Sequence, residues 1–425
     1  MKRTNNKLLS FLTALFWGLV VTAMPKTTVD FVGTPYTTLP AGTDGSLGTS
    51  GTYVLFGDWP QTIKAESVTI DESQMAVAGA HTYFKGSDGC WYYKLLENKS
   101  NGYEGPSGFG YSDGTRVQGR YKKAYRYFKV EPIKWRVVTN NYNGSGKKLL
   151  LAESVLTSEM YNDTERDGGG MAHLEGNQYE FKTDKSLRHK ENGEKIQHNS
   201  YEYSRLRAFL NGLSYIQGEE EGNQEINKVF EGKGFLQTAF TPDLQSKIAV
   251  TTVDNSRSST GIQYDAKQRL LYDGGIYYES GEEHKRVYFP KFVSANTKDK
   301  VFVLSGAEVV RKDYGFEAIP PTVTKDNFMD YIRAGKQYKD SETVTTYKGL
   351  ARPMTDFAKA HGVEHSSESL ITTWWLRTPL MPNYFVGLNT RREAQRAVIV
   401  NDYPTKSDSY LTNSSIGVVP AICIN

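Results

Sequence analysis

The apolar residues of this sequence come in short runs of strand length, which predicts a fold built largely from β-strands. Runs of this kind are TYVLF at 52–56, KLLLAE at 148–153 and VFVL at 301–304. In VEPIKWRVV, Ile133, Trp135 and Val137 alternate with Lys134 and Arg136, as in a strand with one buried face. Aromatic residues make up 12% of the chain, which also favours twisted strands over a helical bundle.

Short helices are predicted between the strands, so the fold class is α+β. Leu206, Phe209 and Leu210 share one helical face in YEYSRLRAFLNG, which Asn211-Gly212 ends. Thr241-Pro242 starts a second helix, and TDFAKAH at 355–361 forms a third that ends near Gly362. Two prolines carry further expectations: Gly57-Asp58-Trp59-Pro60 ends the first strand, and Pro420 places the last strand at an edge or at a bulge.

The N-terminus reads as a secretory signal peptide over residues 1–23. Lys2, Arg3 and Lys7 form a basic region, an apolar run covers 8–21, and Ala23 fits the cleavage site. The run is shorter than a membrane span, and an uncleaved N-terminal anchor is the alternative. We therefore predict an exported protein of the cell surface, periplasm or medium. The predicted organisation is a signal peptide (1–23), a flexible leader (24–52) and one α+β domain (53–425) with polar insertions near 158–198 and 256–298.

Charge and cysteine content limit the partners and the source of stability. Removing residues 1–23 takes away three positive charges and brings the net charge from +3 to about zero, which argues against a nucleic-acid or anionic-membrane partner. Cys90 and Cys423 can form at most one disulfide. The core must therefore stabilise the fold.

Several motifs together resemble a known family. FGDWPQ, VEPIKWRVV, KKLLLAE, NSYEYSRLRAFLNG, FLQTAFTPDLQSKI, DKVFVLSGAEV, TWWLRTP and GVVPAICI are similar to those of a bacterial family of exported and cell-surface domains of unknown function. The resemblance runs from about Tyr53 to the C-terminus. Its tryptophan–arginine segment and closing strand resemble those of the C-type-lectin-like domain of formylglycine-generating enzymes and of related displayed variable proteins. The neighbouring cysteine pair of those enzymes has no counterpart here, so the resemblance implies architecture and presentation without a catalytic residue.

Three motifs imitate metal sites. HGVEH at 361–365 has the order of an inverted zinc peptidase motif, but Gly362 weakens the helix that both histidines would need. Asp163, Glu165 and Asp167 begin like a calcium loop, yet position twelve is Leu174 and Glu175 comes one residue late, so we interpret 163–175 as an acidic surface loop. Asn401-Asp402 follows a predicted strand, as the calcium-binding dipeptide of sugar-binding C-type lectins does, but no E-P-N-like partner accompanies it, so we interpret it, before Tyr403-Pro404, as a turn. No cofactor motif is present in the sequence, and we predict no metal, no cofactor and no catalytic residue.

The segment after TTWWLRTP offers the residue types that dominate binding sites. We predict that one tryptophan of this strand fills the core while Trp375 stacks with Arg377. Beyond them lie the further candidates for ligand contact: Tyr384, Phe385, Arg391, Arg392, Arg396, Tyr403 and Tyr410. The predicted function is non-enzymatic binding of a protein or glycan. Two alternatives stay open: arginines that only solvate a hairpin, and an exported hydrolase with carboxylates in the polar insertions.

Overall fold

The computed structural model describes residues 26–45, 51–97, 110–115, 124–163, 200–217, 225–256, 295–316, 352–363, 374–380 and 416–425. Between these ranges it describes Ser259 and the backbone of several short strands. All statements below refer to these residues.

The N-terminal part of the chain supplies the longest strands. They are β1 (Thr27–Asp30), β2 (Thr37–Thr38), β3 (Tyr53–Ile63), β4 (Ile70–Ala78), β5 (His81–Gly86), β6 (Trp91–Leu96), β7 (Tyr125–Thr139) and β8 (Lys148–Ala152). The C-terminal strands are shorter, and most of the strands between them form isolated pairs. The remaining strands in chain order are β9 (Thr157–Ser158), β10 (Asp167–Gly168), β11 (Met171–Leu174), β12 (Gln178–Phe181), β13 (Arg188–His189), β14 (Lys195–Ile196), β15 (Tyr215–Gln217), β16 (Glu225–Asn227), β17 (Thr251–Val253), β18 (Gln263–Tyr264), β19 (Leu270–Tyr272), β20 (Ile276–Ser280), β21 (Glu283–Val287), β22 (Thr297–Asp299), β23 (Val301–Phe302), β24 (Trp374–Leu380), β25 (Glu393–Ala394), β26 (Arg396–Val400), β27 (Lys406–Tyr410), β28 (Gly417–Val418) and β29 (Ala421–Ile424).

Two sheets organise these strands. The larger follows the order β1-β4-β5-β6-β7-β8-β29-β23, and β3, which also carries β2, pairs with β7. The smaller has the order β27-β26-β24-β28-β9. Within the predicted insertions, β11–β12, β13–β14, β18–β19 and β20–β21 are small antiparallel hairpins. The α+β class is confirmed, because strands dominate and the helices are short.

The helices are α1 (Arg205–Asn211), α2 (Phe235–Ala239), α3 (Pro242–Lys247) and α4 (Asp356–His361), with 3₁₀ turns at Tyr142–Gly144, Tyr201–Tyr203, Glu308–Val310 and Lys312–Tyr314. Helix α1 begins later than its sequence indicates, because the Ser204 hydroxyl accepts a hydrogen bond from Arg207 N. Gly212 ends it in the left-handed conformation, and Thr241 precedes Pro242 at the start of α3, as predicted.

Pro420 has a different role from the one predicted. It lies between β28, in the smaller sheet, and β29, which sits between β8 and β23 in the larger one. The prediction that Pro420 places the last strand at an edge or at a bulge is therefore wrong. A residue without an N–H is accommodated here because the chain passes from one sheet to the other at this point.

The first strand also continues beyond its predicted end. Gly57 to Pro60 lie inside β3, where the register against β7 shifts between Leu55 and Asp58. Gly57 makes this bulge with φ of 69°, and a Cβ there would lie 2.7 Å from the Ala239 carbonyl oxygen. The proline and glycine that suggested a turn instead bend one long strand.

Part of the predicted leader is paired. β1 runs parallel to β4, with Val29 opposite Ala76, and β2 pairs with β3. The side chains of β1 are exposed, so the pairing uses backbone groups and leaves no apolar period in the sequence. Phe31 packs against Tyr83 at 5.1 Å, and the Thr34 hydroxyl donates to Asp58 Oδ1 at 2.7 Å.

Candidate functional site: a supported strand and an adjoining groove

Strand β24 is anchored by its two tryptophans, which are both fully buried. The Trp375 indole Nε1 donates to the Glu159 carbonyl oxygen at 2.7 Å, and its ring lies 5.4 Å from that of Tyr161. Each indole therefore contributes apolar packing, and the buried N–H of Trp375 is satisfied. Trp375 was predicted to contact a ligand, but a fully buried side chain cannot reach one.

Arg377 is buried as well, and the predicted stacking on Trp375 is wrong. Its guanidinium lies over the Phe302 ring at 6.0 Å. Nη1 donates to Glu308 Oε2 at 2.5 Å, and Nη2 donates to Glu308 Oε1 at 2.9 Å. A buried guanidinium requires such an opposite charge, and a carboxylate matches its planar fork better than an indole does.

The Glu308 carboxylate is fully enclosed by donors. It also accepts hydrogen bonds from the Tyr142 hydroxyl and from Ser305 N, each at 2.7 Å. Burial alone would raise the pKa of Glu308, but the charge of Arg377 and these hydrogen bonds outweigh burial and lower it. The same carboxylate holds the pKa of Arg377 above its ordinary value despite burial. The pair stays charged, and it ties β24 to the turn at 305–308.

The strands next to β24 bring together two of the predicted contact residues. In the β26–β27 ladder Arg396 lies directly opposite Tyr410, and in the β24–β26 ladder it lies opposite Leu380. Leu380, Arg396 and Tyr410 therefore form one row across three strands, at the opposite end of β24 from Trp374. We call this row the display row.

A groove of about 240 Å³ opens beside α1 and the β15–β16 hairpin. Its walls are mainly aromatic and apolar, and they include Tyr203, Leu213, Tyr215 and Ile226. Ile226 is 61% exposed, so an apolar side chain of this groove faces solvent. Such concave, largely apolar surfaces are typical of ligand-binding sites.

Arg207, a charged residue of the groove wall, is already paired. Arg207 Nε donates to Asp299 Oδ1 at 2.8 Å, and its Nη1 donates to the Glu202 carbonyl oxygen at 2.8 Å. Burial raises the pKa of Asp299, although the charge of Arg207 opposes this shift. These groups fix the shape of the groove.

A chain of polar contacts joins the groove to the tryptophan strand. The Glu159 backbone carbonyl holds Trp375, while its side-chain Oε1 accepts from Arg205 Nε at 2.9 Å. Arg205 Nη1 in turn donates to the Tyr215 hydroxyl at 2.8 Å. Glu159 therefore connects the support of β24 with a wall of the groove. Sequence reasoning missed this link, because the partners lie in separate elements with no shared pattern.

One histidine–serine contact resembles a catalytic pair but is structural. The Ser158 hydroxyl lies 3.0 Å from His361 Nδ1 and donates to the His361 carbonyl oxygen at 3.1 Å. Ser158 is only 2% exposed, so a substrate carbonyl has no access to its oxygen. Desolvation of the ring lowers the pKa of His361. The contact fastens α4 to β9.

The helix break expected in HGVEH is confirmed. Helix α4 ends at His361, and Gly362 has φ of 106°, which turns the chain away from the helical path. Glu364 and His365 lie outside the described residues. Within the described part of the chain, no group of three or more metal-ligating side chains occurs, and no helix is long and apolar enough to cross a membrane.

His81 predicts a measurable pH dependence of stability. Its ring stacks on Tyr93 at 4.0 Å, and burial lowers its pKa from 6.5 to about 3. Below pH 6.5 the unfolded chain therefore binds a proton that the folded protein rejects, so stability falls as the pH decreases. Between pH 7 and pH 5 we expect His81 to cost about 2 kcal/mol.

The measurement compares urea denaturation of the wild type and His81→Phe at both pH values. Phenylalanine keeps an aromatic ring but cannot titrate, so the variant should lose about 2 kcal/mol less than the wild type over this range. Other titrating groups, including His361, cancel in the comparison. Equal losses in both proteins would show that His81 does not titrate in this way.

Most of the other candidate residues lie outside the part of the chain that the structure describes. Tyr384, Phe385, Arg391, Arg392 and Tyr403 lie outside the described residues, as does the turn predicted at 401–402. Of the calcium-like stretch, Glu165 and Glu175 also lie outside them. Cys90 and Cys423 are both free thiols.

Comparison with known proteins identifies a family. A family model described as a domain of unknown function (DUF6273) matches residues 145–425, which is more than half of the chain. The chain therefore belongs to this family. No curated protein and no solved structure matches it.

Proposed function

We propose that this protein is an exported, non-enzymatic binding or surface-display protein whose ligand is contacted by the segment between Pro382 and Ser415. The observation that carries the proposal is the register of the smaller sheet, which aligns Arg396 with Leu380 and Tyr410 in the display row. Arginine and tyrosine give large contact areas and several donors at low entropic cost. The buried residues 374–378 of β24 support this row from within the core.

The groove favours binding over hydrolysis. An exported hydrolase would need converging titratable groups that a substrate can reach. Here the walls are mainly apolar and aromatic, Glu202 is the one carboxylate residue of the lining, and Arg207 is engaged by Asp299.

Two finer features belong to the same proposal. The basic region, apolar run and Ala23 at the N-terminus support export through a cleaved signal peptide. The motifs TWWLRTP and GVVPAICI support a C-type-lectin-like C-terminal region. In this interpretation the fold is a stable scaffold, and the polar segment after β24 determines which ligand is bound.

The proposal is tested by screening surface glycans and envelope or host proteins with the purified mature chain. The matched variant is Arg391→Ala/Arg392→Ala/Tyr384→Ala, which removes two guanidinium groups and one aromatic ring. We expect it to stay folded and to bind the identified ligand at least tenfold more weakly, since each hot-spot residue contributes about 1–2 kcal/mol. Undiminished binding by the folded variant would exclude this segment as the contact surface.

A further inference from the structure

One face of the larger sheet carries aromatic and charged side chains that pack on one another. The Lys94 ammonium of β6 lies over two rings of β7, at 5.2 Å from the centroid of Tyr125 and 5.6 Å from that of Tyr127. Because Lys94 contacts both rings, the three side chains share one face of the sheet. The neighbours Tyr93 and Leu95 pack against the core, so this face points away from the core.

A carboxylate from a third strand fixes this arrangement. Glu72 of β4 lies in a bulge, where the register of that strand against β5 shifts. Its Oε1 accepts hydrogen bonds from Lys94 Nζ at 2.6 Å and from the Tyr127 hydroxyl. These hydrogen bonds lower the pKa of Glu72, so the carboxylate stays charged and balances the charge of Lys94. We call Glu72, Lys94, Tyr125 and Tyr127 the tyrosine face.

The tyrosine face is open to solvent although its side chains are held in place. Tyr125 is 62% exposed, and the side chains of Glu72 and Lys94 are partly exposed. Rigid aromatic rings beside ordered polar groups are typical of binding surfaces. All four residues lie before residue 145, where the match to the family begins, so the face belongs to the part of the chain that the family does not cover.

We propose that the tyrosine face binds an uncharged oligosaccharide. A sugar ring presents C–H groups on its faces, and these can pack on the electron-rich face of an aromatic ring such as that of Tyr125. The sugar hydroxyls both donate and accept hydrogen bonds, so they match the ammonium donors of Lys94 and the carboxylate acceptors of Glu72. The inference goes beyond the proposed function, because it does not involve the segment at 382–415.

Two other classes of ligand fit these residues less well. An anionic ligand would need an unpaired cation, but Glu72 already neutralises Lys94. An extended peptide would need an open strand edge, but β6, which carries Lys94, is paired with β5 on one side and with β7 on the other. Exposed ring surface next to paired charges, on a strand without an open edge, favours an uncharged sugar.

The test is isothermal titration calorimetry with four uncharged oligosaccharides: maltohexaose, cellohexaose, mannohexaose and N-acetylchitohexaose. Tyr125→Ala removes the exposed ring, and Tyr125→Phe keeps the ring without its hydroxyl. The matched control is Ile226→Ala, which removes a similarly exposed side chain from the groove. Thermal denaturation confirms that each variant is folded.

We expect at least one of the four oligosaccharides to bind the wild type, and Tyr125→Ala to weaken this binding at least tenfold, because the ring supplies the main packing surface. Tyr125→Phe should stay within about threefold of the wild type, since it keeps the aromatic face. Ile226→Ala should bind as the wild type does. The affinity should hardly change between about 0.05 and 0.5 M salt, because the ligand carries no charge.

Absence of binding to all four oligosaccharides, or equal binding by the wild type and the folded Tyr125→Ala variant, would overturn the inference. A protein ligand that depends on Tyr125, found while no oligosaccharide binds, would also overturn it and would assign the tyrosine face to protein recognition.

The variant Arg391→Ala/Arg392→Ala/Tyr384→Ala separates this inference from the proposed function. It should bind the oligosaccharide as the wild type does, whatever its effect in the ligand screen. Loss of oligosaccharide binding in this folded variant would place sugar recognition in the segment at 382–415 and would contradict a site on the larger sheet.

Discussion

Replacing Glu308 with alanine is expected to lower the free energy of unfolding by about 3–5 kcal/mol, because it leaves the Arg377 guanidinium buried without its charged partner. The change also removes the acceptor of the Tyr142 hydroxyl and of Ser305 N. A buried donor without an acceptor loses its hydration without compensation. Urea denaturation at neutral pH measures the loss.

A double variant distinguishes the contribution of the ion pair to stability from the contribution of the volume that its side chains fill. In Glu308→Leu/Arg377→Met both charges are absent and apolar side chains take their place. We expect this variant to recover much of the stability lost by Glu308→Ala, because an unpaired buried charge is worse than an apolar pair of similar volume. A loss below about 1 kcal/mol for Glu308→Ala would contradict the burial and pairing of Arg377.

Replacing Trp375 with alanine should also cost about 3–5 kcal/mol, through the lost burial of the indole and the cavity that remains. The Glu159 carbonyl oxygen would lose the hydrogen bond from Nε1, and Tyr161 would lose its ring contact. Because Glu159 also binds Arg205, the change should loosen the wall of the groove at Tyr215.

Two controls accompany this variant. Trp375→Phe keeps part of the buried ring and should cost clearly less than Trp375→Ala. Arg396→Ala, in the display row, should change the free energy of unfolding by no more than about 0.5 kcal/mol if its side chain is free for a ligand, as proposed. If Arg396→Ala destabilises as strongly as Trp375→Ala, the display row belongs to the structural frame and is not free for a ligand.

Local patterns predicted the local elements well. The run predicted at 148–153 forms β8 (Lys148–Ala152), because a short apolar run flanked by polar residues suits a buried strand. Thr241-Pro242 starts α3, and Gly362 ends α4, since capping depends on one or two residues. These features need no information from distant parts of the chain.

Features that depend on distant partners could not be predicted. Arg377 stood next to two tryptophans in the sequence, so stacking was the nearest explanation, yet its true partner is Glu308, 69 residues away. Pro420 suggested an edge, but the sequence does not show that the chain changes sheets there. The groove likewise depends on contacts between α1, β15 and β16, which no single motif encodes.

The division between a rigid support and a displayed surface can be measured by native-state hydrogen exchange. The Arg377 amide donates to the Leu304 carbonyl oxygen inside the core, so the amides of residues 375–377 should exchange only through global unfolding. Among the described strands β27 lies at the edge of the smaller sheet, next to β26, and its amides should exchange through local opening at a free energy at least about 2 kcal/mol lower. Equal protection of β27 and β24, or faster exchange in β24, would contradict the view that β24 supports a surface free to bind a partner.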